Sequence, residues 1–159
     1  MEIAIRSATA QDYDQLCAII DQVDALHREQ VPDVFRKPDG PAREQDYILG
    51  LLADKDHHLF VAEIEGRMAG FVHVTVWDTP PIPILVPRRL VFVDNLAVSR
   101  AFRRLGIGRA LMQKAERWAL EQGATEIELN VFEFNEPAIA FYRSLGYKTL
   151  RRRMGRRLG

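Results

Sequence analysis

The chain reads as an α/β protein: a mixed sheet with helices packed on both of its faces. Three observations lead there. Apolar residues alternate at period two in some segments and recur at helical spacing in others, in the order β-α-α-β-β-β-α-β-α-β. The stretch 90–98 is apolar apart from Asp94 and Asn95, as a strand covered on both faces must be. Over 159 residues, 47% are hydrophobic and 28% charged, enough apolar material for a core spanning residues 1–159 as a single domain.

Each element has its own signal. Glu2–Arg6 alternates Ile3 and Ile5 with polar neighbours, a short strand. Thr9 and Asp12 resemble a capping box with Asp in place of Glu, and Leu16, Ile19, Ile20 and Val23 mark the apolar stripe of the helix that follows. Three prolines and a glycine across residues 27–45 predict a long loop, after which Tyr47–Ala53 is a short helix. Leu59–Ile64 and Arg67–Trp77 are strands joined by a tight turn at Glu65-Gly66. Pro80, Pro81, Pro83 and Pro87 exclude a helix or a central strand from residues 77–89. Leu90–Val98 is a strand interrupted by Asp94-Asn95. Arg109–Gln122 is a helix with Leu111, Met112, Ala115, Trp118 and Ala119 on one face, ended by Gly123. Glu126–Phe132 is a strand. Asn135 caps a helix carrying Ala138, Ile139, Tyr142 and Leu145, with Pro137 in its first turn and Gly146 after its last. Tyr147–Met154 closes the chain as a final strand, with Arg151 and Arg153 outward and Met154 inward.

Composition narrows the function classes. Lys and Arg number 22 and Asp and Glu number 22, yet residues 151–159 hold five arginines and no acid. The rest of the chain is therefore acidic, which weakly favours cationic ligands. A nucleic-acid-binding role led by the arginines lacks interleaved aromatics. Cys17 stands alone, which excludes an internal disulfide and a Cys-based zinc cage and fits a reducing compartment. His57-His58 has no helical partner four residues away and reads as an exposed turn, so no metal is expected. No apolar run approaches the roughly 18 residues needed to cross a bilayer. No basic segment precedes an apolar one at the N-terminus, so the expected location is cytoplasmic.

The most informative segment is residues 93–111, VDNLAVSRAFRRLGIGRAL. A buried strand leads through a basic turn into Gly106-x-Gly108 and a helix. Glycines at a helix start admit close approach, and the free amides and the dipole there favour phosphate. Arg103, Arg104 and Arg109 add positive charge. A plain glycine turn with solvated arginines is the competing reading, and the glycine spacing alone does not choose between them. Two standard phosphate motifs fit badly: Leu111 stands where a dinucleotide fingerprint needs a small residue, and Arg109-Ala110 where a P-loop needs Lys-Ser/Thr.

Arg103-Arg104-Leu105-Gly106-Ile107-Gly108 resembles the Arg/Gln-x-x-Gly-x-Gly/Ala signature of the GNAT N-acetyltransferase superfamily. Asn95-Leu96-Ala97-Val98 is similar to that family's fourth strand. Asn135 through Tyr147 resembles its Asn-x-x-Ala-x-x-x-Tyr-x-x-x-Gly-Phe/Tyr signature, in the expected order. The resemblance implies an acyl-CoA N-acyltransferase-like fold with splayed central strands and acetyl-CoA as acetyl donor. It implies that the pyrophosphate lies on the amides of Arg103, Arg104, Leu105, Gly106, Ile107, Gly108 and Arg109. It places the pantetheine arm against Leu96, Ala97 and Val98, and it gives Asn135 a cofactor contact. It makes Tyr142 the acid that protonates the departing thiolate, against the plainer reading of a core aromatic.

The base is less determined. Asn130 and Phe92 occupy positions where relatives carry Glu, and Asp94 is the nearest carboxylate on the strand. Asp94 is either that base or a bulge residue bonding local backbone. Glu133, His73 and a water chain are the other readings, with Glu133 more often a solvated acid and His73 more often structural. The acceptor pocket is expected from residues 27–47 and 77–89, with His27, Phe35, Tyr47 and Trp77 as lining. The function implied is acetyl transfer to a primary amine, on a small molecule, a peptide N-terminus or a lysine, by direct attack in a ternary complex. The alternative is a non-catalytic acyl-CoA-binding regulatory module. A homodimer is implied by analogy, and the arginine tail has three readings: strand surface, an electrostatic contact to nucleic acid, or a contact to the 3′-phosphate of CoA or to a dimer partner.

Overall fold

Residues 1–159 are described by a computed structural model. Its sheet has five strands in the order β1-β2-β3-β4-β5: β1 (Ala4–Ser7), β2 (His57–Ile64), β3 (Arg67–Asp78), β4 (Arg89–Val98) and β5 (Glu126–Leu129). The first four pair antiparallel and β5 runs parallel to β4. Four helices accompany them: α1 (Tyr13–Gln30), α2 (Gln45–Ala53), α3 (Ile107–Glu121) and α4 (Glu136–Ser144). Parallel neighbours need a crossover, and α3 supplies it.

Strand alternation divides the apolar residues between two layers. Leu59, Val61, Phe71 and Ala97 pack under Leu16, Ile19 and Ile20 of α1 and Ile48 and Leu51 of α2. Phe60, Val72, Val74, Val91 and Val93 pack on the other face against Ile107, Leu111, Met112, Ala115 and Trp118 of α3. Phe141, Tyr142 and Leu145 border that second layer. Fully burying a leucine such as Leu16 or Leu111 contributes about 2 kcal/mol. The β2–β3 hairpin turns through Glu65 and Gly66, both at positive φ (51° and 75°), as a two-residue turn matched to strand twist requires. Arg6 of β1 grips Asp12 with two hydrogen bonds of 2.8 Å and also pairs with Glu63. That guanidinium holds the Asp12 carboxyl below the usual carboxylate range. The Thr9 N–H donates to Asp12 Oδ2 at 2.7 Å, the reach-back expected of the capping pair.

Gly70 is the most tightly enclosed of the glycines. A Cβ there would lie 2.6 Å from the Ala97 carbonyl oxygen and 3.2 Å from Ile107 Cγ2, so β4 and α3 both close on it. Gly70→Ala is expected to lower stability by about 2 kcal/mol, because the backbone oxygen cannot move aside without shifting β4. A fall in the urea midpoint at unchanged slope would show it.

Four expectations need correction. Tyr147–Met154 is not a strand, and residues 147–159 carry no helix or strand. Neither alternating face of that segment is apolar: Lys148 and Arg152 interrupt Leu150 and Met154, and Met154 is exposed. Arg157 instead reaches Asp33 at 2.9 Å, both side chains solvated, a pair worth little. Second, α1 runs on to Gln30 and stops where Pro32 pushes Val31 out of helical backbone. Third, His57 and His58 open β2 opposite Thr75 and Val74 and are not a turn. Fourth, β5 ends at Leu129 rather than continuing to residue 132, and α3 begins at Ile107, two residues before Arg109.

Candidate active site

The sheet opens beyond residue 93. β5 pairs with β4 only from Leu90↔Glu126 to Val93↔Leu129, whereas β4 continues to Val98 with β3 on one side and no strand on the other. The backbone edge of Leu96, Ala97 and Val98 is thereby left without a strand partner, at the splay that the family resemblance implies. Leu96, Val98, Leu129 and Tyr142 all border the same core layer beside it.

The chain leaves β4 through Ser99, whose N–H donates to the Ala69 carbonyl at 2.8 Å, and a 3-10 turn at Arg100–Phe102. Arg104 then adopts a left-handed conformation (φ 62°), and Gly106 another (φ 81°) as N-cap of α3. The backbone N–H groups of Arg103 to Arg109 find no acceptor in the protein; Ala110 is the first to do so, at Gly106 O, 3.0 Å. Seven consecutive free amides ending on a helix start, with no acid in the first turn and Arg103, Arg104 and Arg109 exposed around them, have the chemistry that an anion cradle requires. Ile107, 1% exposed, anchors the turn into the core. A Cβ on Gly108 would meet Phe141 Cζ at 3.2 Å, so α4 docks closely on the start of α3.

Asn135 N-caps α4, its Oδ1 accepting from the Ala138 N–H at 3.3 Å, with proline in the first turn. That helix carries Tyr142, whose ring meets Phe141 at 5.2 Å and Tyr147 at 5.9 Å between centroids. Burial pushes the Tyr142 hydroxyl up to about 12, and it makes no hydrogen bond within the protein. Tyr147 differs: its hydroxyl donates to Glu116 Oε1 at 2.9 Å, and burial together with that bond raises its pKa further.

On the opposite face of the sheet, β4 bulges. His73 pairs with Asn95 and Val74 with Val93, so Asp94 is the extra residue, and its carboxylate turns to the α1–α2 side. Asp94 Oδ2 accepts the Thr75 hydroxyl and lies 3.7 Å from His73 Nε2. His57 Nδ1 is 2.9 Å from His73 Nε2 and 3.0 Å from Thr75 Oγ1. Burial holds His73, 6% exposed, below the ordinary imidazole range, and the upward pull of Asp94 is the smaller effect. His58 points to the other face, stacked on Phe60 at 4.2 Å and bonded to Ser7 Oγ.

Of the expected acceptor lining, His27 and Phe35 come together with Phe132 and Phe134, ring centroids 5.5–5.8 Å apart. This cluster ties the end of α1 to the segment after β5. Tyr47 and Trp77 stay outside it and are half exposed. Glu133 is a solvated acid between the two phenylalanines. The sequence shows Phe132 only as the end of a strand and gives Phe134 no role, because nothing local connects either ring to His27 or Phe35.

Residues 20–147 match the family model described as the acetyltransferase (GNAT) family. An N-alpha-acetyltransferase of Sulfurisphaera tokodaii is 30% identical over 155 residues, covering 94% of this chain and 83% of that protein. Streptothricin acetyltransferase of Streptomyces lavendulae is 36% identical over 97 residues, 59% of this chain and 46% of its own length. The crystal structure of a mutant BH1408 protein from Bacillus halodurans superposes with a TM-score of 0.94 at 28% identity, over 98% of this chain and 99% of that one.

Proposed function

Because the chain belongs to the acetyltransferase (GNAT) family, an acetyl-CoA-dependent enzyme family, we propose that it moves the acetyl group of acetyl-CoA to a primary amine by direct attack in a ternary complex. The observation that carries this reading is the run of seven free amides from Arg103 to Arg109 beside an unpaired strand edge. Those amides and the α3 dipole fit a pyrophosphate, and Arg103, Arg104 and Arg109 add charge around it. The open edge at Leu96, Ala97 and Val98 fits an extended amide chain that pairs as an added strand. Asn135 commits its carbonyl oxygen to the cap of α4, which leaves its amide nitrogen for the cofactor.

Acetyl-CoA supplies the thioester carbonyl. Asp94 first takes a proton from the acceptor's ammonium, so that the neutral amine attacks the carbonyl, and a backbone N–H near Leu96 holds the carbonyl oxygen as charge develops on it. A C–N bond forms and a C–S bond breaks; Tyr142 gives its proton to the departing sulfur and is reprotonated, through water, by the proton that the new amide nitrogen sheds. The acceptor class we favour is a cationic amine, on a peptide N-terminus, a lysine or a small molecule. The acidic body of the chain supports it, as does the likeness to an N-alpha-acetyltransferase.

The test is release of free CoA thiol from acetyl-CoA with peptides bearing free N-termini, lysine peptides blocked at the N-terminus, and small polyamines. Turnover with at least one is expected, and Asp94→Asn should lower it about 100-fold while acetyl-CoA binding persists. Binding without turnover on any acceptor would make the chain a regulatory module instead.

A further inference from the structure

We propose that His57, His73 and Asp94 form a binding site for a divalent transition-metal cation of the zinc class on the α1–α2 face of the sheet. Their ligand atoms, His57 Nδ1, His73 Nε2 and a carboxylate oxygen of Asp94, lie within 4.8 Å of one another. Three strands fix them: β2 and β3 bring the imidazoles together across the hairpin, and the β4 bulge turns the carboxylate to the same side. A site on paired strands is held more closely than one on loops.

The donor set suits a cation. His57 Nδ1, His73 Nε2, Thr75 Oγ1 and Asp94 Oδ2 face one another within hydrogen-bond range or just beyond it. Without an ion, one imidazole hydrogen lies between the two ring nitrogens and the Thr75 hydroxyl donates to Asp94. With each imidazole hydrogen on its far nitrogen, His57 Nδ1, His73 Nε2 and Asp94 each turn a lone pair to the same space, the arrangement a metal ion completes. Two imidazole nitrogens on one tetrahedral zinc sit about 3.3 Å apart, given bonds of about 2.0 Å. The observed 2.9 Å needs a few tenths of an ångström of adjustment.

The surroundings suit the same role. The far nitrogen of His57, Nε2, lies 3.8 Å from Asp54 Oδ2, the outer carboxylate that commonly orients a ligating imidazole. Thr75 orients Asp94. Buried His73 sits beneath, while His57 and Asp94 reach solvent, which gives an ion its path in. Two imidazoles and one carboxylate leave coordination positions free for water or for an acceptor group.

A further consequence rests on the reading of Asp94 as base: an ion held there removes the carboxylate from proton transfer, so zinc should inhibit acetyl transfer without displacing acetyl-CoA. The test uses the full chain and ZnCl2 in competition with a chromophoric chelator, then CoCl2 for its visible absorption. Expected are one ion per chain at micromolar affinity and a cobalt spectrum of the intensity given by four or five ligands. His57→Gln, half-exposed and so tolerated by the fold, should weaken binding about 100-fold. His58→Gln, on the opposite face, should leave it unchanged. No binding in the micromolar range, or equal losses in the two variants, would overturn the site. Zinc binding with no turnover at any zinc concentration would leave the site standing and overturn the acetyl-transfer reading. Turnover indifferent to bound zinc would overturn the inhibition.

Discussion

Tyr142→Phe is expected to lower kcat by about 100- to 1,000-fold with little change in the affinity for acetyl-CoA. The substitution removes one hydroxyl and keeps the ring that packs beside Phe141 and Tyr147. Because that hydroxyl bonds to nothing in the protein, its loss leaves no orphaned partner, and the urea midpoint should stay close to that of the parent. The amide cradle is untouched, so the donor binds as before. What is lost is the proton for the departing sulfur. Burial raises the Tyr142 pKa to about 12, so the group stays protonated through the neutral and mildly alkaline range. The alkaline limb of the kcat profile below about pH 11 must therefore come from another group. The same shift has a stability sign: a tyrosine that ionises near 10 when unfolded and near 12 when folded stabilises fully below pH 10 and loses that contribution as pH rises through 12. An unchanged kcat in Tyr142→Phe would return the residue to the role of core aromatic.

Gly108→Glu is expected to weaken acetyl-CoA binding at least 100-fold while the fold survives. Gly108 lies in the first turn of α3, where a carboxylate stabilises the helix through its dipole. The same carboxylate, set beside the Phe141 ring, puts a negative charge close to the free amides and repels a pyrophosphate there. Charge and bulk therefore act against the ligand, and charge acts for the helix. Gly108→Ala separates the two effects. Its Cβ meets only the rim of the Phe141 ring, at 3.2 Å, so a small rotation of that ring accommodates it and binding should fall by less than about tenfold. Matched melting curves with divergent titrations would show that the loss is local.

Features encoded by neighbours in the chain are legible in the sequence. Arg103 to Arg109 could be read because two glycines, a basic turn and a helix start are neighbours in the chain, and the backbone then behaves as those residues require. The bulge in β4 was visible as Asp94-Asn95 interrupting an apolar strand. The strand expected at 147–154 does not form, because the face that would carry Met154 inward also carries Lys148 and Arg152 and cannot be buried. In the sequence His57 reads as a turn residue and His73 as structural, since sixteen residues part them and only the β2–β3 register brings their nitrogens to 2.9 Å. The aromatic group of His27, Phe35, Phe132 and Phe134 has the same origin: its members come from opposite ends of the chain, and no local period connects them.

The proposed function stands on donor binding at the turn from Arg103 to Arg109. Calorimetric titration with acetyl-CoA, run on the wild-type chain and on Gly108→Glu, measures it. One site per chain at micromolar affinity is expected in the wild type, with no measurable heat in the variant. Absence of binding to the wild type, or equal binding to both proteins, would overturn the assignment of that turn.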